Sequence, residues 1–381
     1  VLSKRMPVAS YSPAFRDFTT LRVGGEIRNY HALTSQNKAL SVIQSVWDSG
    51  DEWMVLGGGS NIVVSDDKFD DHVLHVRWRG KQQKEVADDT VLLTVQAGED
   101  WDDLVAYTVA AGLQGIESLS GIPGSVGASV VQNIGAYGYE LDQVLDTVQF
   151  LDYEDRQQKT LTASDLGLAH RTSSLKTGEL RGVVLSVTFR LIRSPESLPV
   201  AYPQLAEYLG VEAGRSVPLD SLRLAVLSLR ESKGMVLDPD DSDSRSVGSF
   251  FVNPVVSEKF AHSLPATAPK WLLTHSPSQI VELSASDTAD AGAEKPETAD
   301  NQPMVKLSAA WLIEHSGIPK GFSLSGNAAR VSSKHTLALT NPGGATAEDV
   351  TSLARYIRTQ VANTFGVFLQ PEPSLIGLSL D

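Results

Sequence analysis

The stretch SLSGIPGSVGASVVQNIGAYGYE, Ser118 to Glu140, constrains this chain more than any other. Gly121, Gly124, Gly127, Gly135 and Gly138 fall within it, interleaved with Ser120, Ser125, Gln132 and Asn133. Glycines at this density let backbone come close to a ligand and adopt positive φ, which other residues avoid. Freed backbone N–H groups beside short polar side chains form an anion-binding nest. Ala128 to Val131 are small or apolar, so part of the stretch is expected to be buried. Such a surface suits a pyrophosphate with flat rings at its ends. The spacing is G-x-x-G-x-x-G rather than G-x-G-x-x-G, and no G-K-[ST] follows, which excludes the dinucleotide fingerprint and the P-loop. A glycine-rich turn cluster in a β-rich domain has the same composition. A second loop favours the ligand reading: Met54-Val55-Leu56 and Ile62-Val63-Val64 flank Gly57-Gly58-Gly59-Ser60-Asn61. A strand, a glycine hinge with a hydroxyl and an amide, and a second strand make a phosphate loop; a plain hairpin turn is the competing explanation.

A chain of 381 residues should hold two or three domains. Its net charge of −14 argues against a nucleic-acid backbone as partner, which needs a basic face. With no cysteine, disulfides, thiolate nucleophiles and cysteine zinc sites are excluded. The histidines form no H-E-x-x-H, and His72 and His75 point to opposite faces of a strand, so no metal site is expected. No G-x-S-x-G supports a serine-hydrolase elbow. VLSKRMPVASYSP has no apolar signal region, and no apolar run approaches the roughly 18 residues of a membrane helix. A cytoplasmic chain without membrane insertion is expected.

The pattern predicts a strand ending in a tight turn at Val23-Gly24-Gly25. A helix follows over 38–49, with Leu40, Ile43, Val46 and Trp47 on one face. VLHVRW and VLLTVQAG read as two strands around a polar hairpin within 73–98. A helix is predicted over 101–112, strands over 144–152 and 182–192, and a long loop over 193–216. A helix over 217–232 places Arg230 and Lys233 at its negative end, a structural reason for both cations. Gly248-Ser249-Phe250-Phe251 reads as the start of a strand. Residues 284–303, acidic and without aromatics, read as a mobile insertion without chemistry. TAEDVTSLARYIRTQVANTFG is the clearest helix, and Glu372 lies inside an apolar, strand-like run.

Taken together, six motifs resemble the UDP-N-acetylenolpyruvoylglucosamine reductases, also called UDP-N-acetylmuramate dehydrogenases, in the subtype with the longer loop. They are VGG at 23–25, GGGSN at 57–61, SGIPGSVGA-x3-QNIGAYG-x-E at 120–140, HRTSSLK at 170–176, GSFFVNP at 248–254 and QPEPSLIG at 370–377. The resemblance runs from about residue 14 to the end of the chain. It implies an α+β fold: a two-subdomain FAD-binding module of the vanillyl-alcohol-oxidase type and a C-terminal α+β substrate domain. The implied division is 14–68 and 69–235 for FAD, the latter joined by the strand 369–381, and 236–368 for substrate. Gly57, Gly58, Gly59, Ser60 and Asn61 would hold the non-covalent FAD from one loop. Ser120, Gly121, Ile122, Pro123, Gly124, Ser125, Gly127, Ala128, Asn133, Gly135, Ala136, Tyr137 and Gly138 would hold it from the other.

The implied reaction is reduction of UDP-N-acetylglucosamine enolpyruvate to UDP-N-acetylmuramate for peptidoglycan synthesis, with NADPH as reductant. Hydride leaves flavin N5 for the enol ether, and negative charge develops on the adjacent carbon. Fixed donors must meet that charge. By the resemblance, Arg171 and Glu372 polarise the substrate carboxylate, Glu372 needing a proton to serve as a donor, and Ser249 protonates the carbanionic carbon. Tyr202, Arg230, Lys233 and Asn253 would contact substrate. A monomer is expected. Departures from the family pattern are His170 where a Tyr is usual, Leu175 where a Phe is usual, and Val252 where a basic or polar residue is common. Two alternatives stand at this point: an oxidase of the same fold that acts on a sugar or alcohol and tethers its flavin, and a flavin- or nucleotide-binding module whose activity is lost.

Overall fold

The structure is a computed structural model that describes residues 12–273 and 303–381. The acidic stretch 284–303 therefore lies outside the described residues except for Pro303. Contacts divide the chain into two compact units. The first runs up to Gly59 and resumes over Asp66–Ser232; the second holds Ser60–Ser65 and Lys233–Asp381.

Among its described residues the first unit contains two larger sheets and a two-stranded hairpin of Gly135–Ala136 with Tyr139–Glu140. β1 (Ile27–Leu33), β2 (Trp53–Leu56) and β4 (Phe69–Val76) form a parallel sheet in the order β1-β4-β2. Parallel neighbours need a crossover. The helix α1 (Gln36–Ser49) provides it, burying Ala39, Ile43, Val46 and Trp47 and ending at Gly50 with φ of 77°. β4 is the central strand here, so this layer runs past the boundary expected after residue 68. The strand expected at Val23-Gly24-Gly25 is absent. Gly24 has φ of 112°, and its N–H is held by the Asp66 carboxylate at 3.0 Å, which turns the backbone out of the extended region before Ile27.

The second sheet is antiparallel. It comprises β5 (Lys81–Glu85), β6 (Thr90–Gln96), β7 (Leu113–Gln114), β10 (Leu145–Asp152), β11 (Gln158–Leu161) and β12 (Gly182–Arg193). The main order is β11-β10-β12-β6-β5, with β7 beside β12. β6 alternates buried Val91, Leu93 and Val95 with half-buried residues, as a strand with one core face must. The two strands expected as one hairpin within 73–98 separate: β4 joins the parallel sheet, and β6 pairs with β5 instead. Sequence KQQKE in β5 is exposed throughout, because an edge strand can be held by its backbone alone.

Helix α2 (Trp101–Ala110) starts on an Asp100 cap that accepts from the Asp103 N–H at 3.0 Å. α3 (Val126–Val131), β8 (Gly135–Ala136), β9 (Tyr139–Glu140) and α4 (Ser174–Thr177) complete the glycine-rich region and its neighbour. The expected loop 193–216 contains a helix, α5 (Pro203–Leu209), with proline at its first position. With α6 (Leu219–Glu231) it closes a small core around Val200, Leu205, Leu222 and Val226.

In the second unit, β3 (Ile62–Val64) pairs in parallel with β19 (Ser374–Ile376). The C-terminal strand, expected to join residues 69–235, thus belongs with this unit. β13 (Ser246–Ser249), β17 (Arg330–Val331) and β18 (Ala338–Thr340) form one sheet in the order β13-β18-β17. β14 (Val255–Ser257), β15 (Lys270–Leu273) and β16 (Met304–Leu307) form another in the order β14-β16-β15. α7 (Glu258–Ser263) and α8 (Ala309–His315) are short. α9 (Ala347–Phe365) has a Thr346/Asp349 capping box, a buried stripe of Val350, Leu353, Ile357 and Val361, and Gly366 at φ of 70° as its stop.

Candidate cofactor and substrate sites

The two glycine loops legible in the sequence lie against each other. A Cβ on Gly57 would sit 2.6 Å from Ser125 Oγ and 2.9 Å from Ala128 Cβ, and one on Gly58 only 2.5 Å from Gly124 Cα. Gly59, at φ of +61°, is pressed against the Phe18 carbonyl. β2 and β3 go to different sheets, which rules out a plain hairpin at Gly57–Asn61. Beside the interlocked loops runs a cleft of about 290 Å3. Gly57, Ser125, Gly127 and Ala128 line one part of it; Trp53, Val55, Leu180 and Val184 line another, with Arg181 among them. Backbone polarity on one side and apolar walls on the other can take a phosphate joined to a flat ring.

Trp53, Arg181 and Val184 carry no motif, and nothing in their sequence surroundings marks them. Trp53 and Tyr153 each lie under the Arg181 guanidinium, at 5.5 and 4.9 Å to their ring centroids. His75 was also missed. Its ring is buried on β4, with Nδ1 at 2.7 Å from the Tyr30 hydroxyl. Burial, with Arg77 nearby, lowers its pKa to about 4, against the opposing pull of a backbone bond to Gly57. A neutral imidazole therefore supports the first glycine loop.

The remaining residues of the long glycine stretch divide by role. The Ser120 hydroxyl donates to the Glu117 carbonyl at 2.6 Å and faces inward. Ile122 and Pro123 are half-buried on the loop. Asn133 is fully buried at φ of 46°. It accepts from the Asp142 N–H at 3.0 Å and donates to Glu140 at 3.2 Å and to the Ala169 carbonyl at 3.3 Å. Its amide thereby organises the loop that carries residues 169–171. Gly135 and Ala136 lie in β8, and Tyr137 (φ of 52°) with Gly138 (φ of 90°) turns the chain into β9. Two consecutive positive φ values are what a two-residue hairpin needs.

Arg171 also has positive φ, 58°, a costly conformation for a side chain of its size. Its guanidinium donates to the Gly135 carbonyl at 2.8 Å, and the Lys176 ammonium donates to the Arg171 carbonyl at 3.2 Å. His170 Nδ1 lies 2.7 Å from the Glu140 carboxylate. Arg230 on α6 is half-buried, with its guanidinium near Tyr137, Asp102 and Arg171. Burial pushes the pKa of its guanidinium down, as does Arg171, while Tyr137 and Asp102 favour its charge. The Tyr202 ring meets the Tyr137 ring edge-on at 5.6 Å.

Ser249 and Glu372 come together within the second unit. The Phe250 N–H donates to the Leu337 carbonyl at 2.7 Å, and the Glu372 N–H donates to the Phe250 carbonyl at 2.8 Å. The Val252 N–H donates to the Gln370 carbonyl at 3.0 Å. Ser249 ends β13 and Glu372 precedes β19, so backbone pairing sets both on adjacent segments, each half-buried. Asn61 belongs to the same unit and approaches the Glu372 carbonyl, 3.5 Å from its amide nitrogen. Asn253 Oδ1 accepts from the Ala309 N–H at 3.0 Å at the start of α8. Lys233 neighbours His335, whose pKa burial lowers to about 4 with help from Lys233 and Lys320. Arg171 stands in the first unit, apart in sequence from this pair.

Residues 238–376 match the family described as UDP-N-acetylenolpyruvoylglucosamine reductase, C-terminal domain, and residues 29–163 match an FAD binding domain. A curated protein named UDP-N-acetylenolpyruvoylglucosamine reductase from Leifsonia xyli subsp. xyli is 49% identical over 376 residues, covering 97% of this chain and 99% of its own length. One of the same name from Thermobifida fusca is 44% identical over 365 residues, covering 96% and 97%. A solved structure of UDP-N-acetylenolpyruvylglucosamine reductase from Thermus caldophilus aligns with a TM-score of 0.59 at 23% identity, over 96% of this chain and 98% of that one. The last likeness is one of fold. Together these findings bear out the expected α+β architecture, an FAD-binding domain followed by a C-terminal domain.

Proposed function

The chain belongs to the UDP-N-acetylenolpyruvoylglucosamine reductase family, and we propose that it is an oxidoreductase reducing UDP-N-acetylglucosamine enolpyruvate to UDP-N-acetylmuramate, with FAD and NADPH, in peptidoglycan precursor synthesis. It works as a cytoplasmic monomer. Among the described residues no helix is long and apolar enough to cross a membrane. The observation that carries the reading is the interlock of Gly57 and Gly58 with Gly124, Ser125 and Ala128 beside an apolar cleft.

The residues present fit FAD. The glycine loops offer backbone at close range, and Trp53, Val55 and Val184 offer walls for a flat ring. No histidine lines the cleft and the chain has no cysteine, so the hold is non-covalent, against the tethered oxidase alternative. When bound, FAD carries two electrons from NADPH to the enolpyruvyl double bond. The unit that runs up to Gly59 and over Asp66–Ser232 carries most of the cofactor loops, and Ser249, Asn253 and Glu372 of the other unit serve the substrate.

Charge that builds beside the substrate carboxylate is met by Arg171 and by Glu372, which has to carry a proton to act as a donor there. The left-handed backbone of Arg171 and its bond to the Gly135 carbonyl pre-orient the guanidinium, so less reorganisation is needed as the charge appears. Ser249 delivers the proton to the carbanionic carbon; its place at the end of a paired strand fixes that hydroxyl's backbone, and for a weak acid position matters more than pKa. Tyr202, Arg230, Lys233 and Asn253 contact the sugar nucleotide.

The test is anaerobic. NADPH should bleach the yellow protein, and UDP-N-acetylglucosamine enolpyruvate should restore its colour. Ser249→Ala should leave the bleaching intact and slow the recovery. Bleaching without recovery in the wild type would favour the oxidase alternative, and no flavin after reconstitution with FAD would overturn the assignment.

A further inference from the structure

The loop bearing Gly121 and Gly124 is laid along the N-terminus of α2 by a row of bonds. The Trp101 indole donates to the Leu119 carbonyl at 3.0 Å, and the Trp101 backbone N–H donates to the Gly124 carbonyl at 3.0 Å. The Val126 and Gly127 N–H groups donate to the Glu99 and Ala97 carbonyls at 2.9 and 2.8 Å. Between them, Asp102 Oδ1 accepts the Gly121 N–H at 2.6 Å. Most of these clamps are backbone or a packed indole, whose directions follow from the chain. The Asp102 carboxylate is different, because a free carboxylate rotates and at the second helical position its ordinary use is to face the helix's own N–H groups.

Arg223 on α6 removes that freedom. Its Nη1 donates to Oδ1 at 2.7 Å and its Nη2 to Oδ2 at 2.8 Å, a bidentate fork that sets both oxygens. The pair is largely withdrawn from water, with side-chain exposures of 16% for Arg223 and 33% for Asp102. Burial raises the Asp102 pKa, but the Arg223 and Gly121 bonds outweigh it and hold the carboxyl below its ordinary value. Two turns along α6 from Arg223 stands Arg230, near Tyr137 of the second glycine hairpin. α6 therefore reaches both glycine segments through arginines seven residues apart on one face.

We propose that Asp102 and Arg223 are a positioning pair for the flavin: together they hold the Gly121–Ser125 loop in its binding shape and tie it to α6. The proposal rests on the FAD reading given above. An Asp102–Arg223 pair that merely glued α2 to α6 would need no bond to Gly121; it is the 2.6 Å contact to the loop amide that turns a packing contact into a template for the cofactor.

The experiment uses the full chain stripped of flavin and titrated with FAD by fluorescence quenching. Melting of the flavin-free proteins identifies which variants are folded. Asp102→Ala and Arg223→Ala should each weaken FAD binding by about tenfold or more, since each loses a charge-assisted bond next to the loop. The double variant should be no weaker than the worse single one, because both changes remove one coupled unit. Arg223→Lys, which keeps the charge but not the fork, should fall between, and the visible circular dichroism of the bound flavin should change in the folded variants. Asp102→Asn serves if the alanine variants do not fold. Its amide can still accept from Gly121 but repels the guanidinium, so FAD should again bind more weakly. Folded variants that bind FAD within about twofold of the wild type, with unchanged flavin dichroism, would overturn the pair, as would strictly additive losses. A wild-type chain that takes up no FAD would overturn the cofactor reading itself.

Discussion

Gly58→Ala is the sharpest perturbation of the loop interlock. A Cβ at this position would stand 2.5 Å from Gly124 Cα and 2.8 Å from Gly124 C, against an ordinary carbon contact of about 3.5–4.0 Å. Both obstructing atoms are backbone, so no side chain can swing aside. The Gly124 carbonyl is itself pinned by the Trp101 N–H at 3.0 Å. The loops must therefore part by roughly an ångström. Gly58 does not have positive φ, so the alanine backbone is unstrained, and the shorter list of unfolded conformations even favours it by about 0.4–1 kcal/mol. Overpacking costs about 1–3 kcal/mol, so a net loss of about 1–2 kcal/mol is expected in urea unfolding of the flavin-free protein. FAD affinity should fall by about tenfold or more, since the displaced atoms line the proposed binding surface. Gly210→Ala is the control. There φ is +66° and the space is open, so it costs about 1 kcal/mol of conformational strain and leaves FAD binding alone. A Gly58→Ala protein with stability within about 0.5 kcal/mol of the wild type and unchanged FAD affinity would refute the interlock.

Three further outcomes are expected. His75 and His335 both have a pKa lowered from 6.5 to about 4, mainly by burial, so the folded state binds fewer protons than the unfolded one between those values. Their contribution is present above pH 6.5 and is lost as pH falls towards 4, at up to about 1.4 kcal/mol per pH unit for each histidine. Urea midpoints from pH 7 to 5 should show this slope, and His75→Gln should reduce it; an unchanged slope would contradict the buried neutral imidazole. Thr346→Ala removes the cap of α9 and should cost about 1 kcal/mol in the same assay, with turnover unaffected. Arg171→Gly relieves a left-handed arginine while losing the bond to the Gly135 carbonyl, so stability should change by no more than about 1–2 kcal/mol. Turnover should fall by about a hundredfold or more, and a rate within about tenfold of the wild type would remove Arg171 from the chemistry.

What could be read locally held best where the physics is local. The helix over 347–365 is written in its own residues: Thr346 caps, the stripe from Val350 to Val361 packs, and Gly366 stops. The helix crossing from β1 to β2 and the alternation of β6 were legible for the same reason. The helix at Pro203–Leu209 was missed because Pro195, Pro199 and Pro203 look like loop punctuation, although a proline at the first position is compatible with a helix. The glycine loops stood out as candidate ligand loops because two such clusters occur in one chain.

Partner choice was not legible. VLHV and VLLTVQ are both apolar strands and neighbours in sequence, yet one joins a parallel sheet and the other pairs with an exposed KQQKE edge. Likewise Ile62–Val64 pairs with Ser374–Ile376 from the far end of the chain. Strand patterning says which face is buried and leaves open which strand lies alongside, since backbone hydrogen bonds are the same for every partner. The same holds at the cofactor site. From its own residues the sequence pointed to two glycine-rich loops suited to a phosphate, and by family likeness to an FAD reductase in which Arg171, Ser249 and Glu372 are proposed for the chemistry. Only the tertiary structure decided that Gly58 packs on Gly124, that Trp53 and Val184 wall the cleft, and that Arg223 reaches Asp102 from another helix. These are contacts between residues far apart in the chain, and no local pattern encodes them.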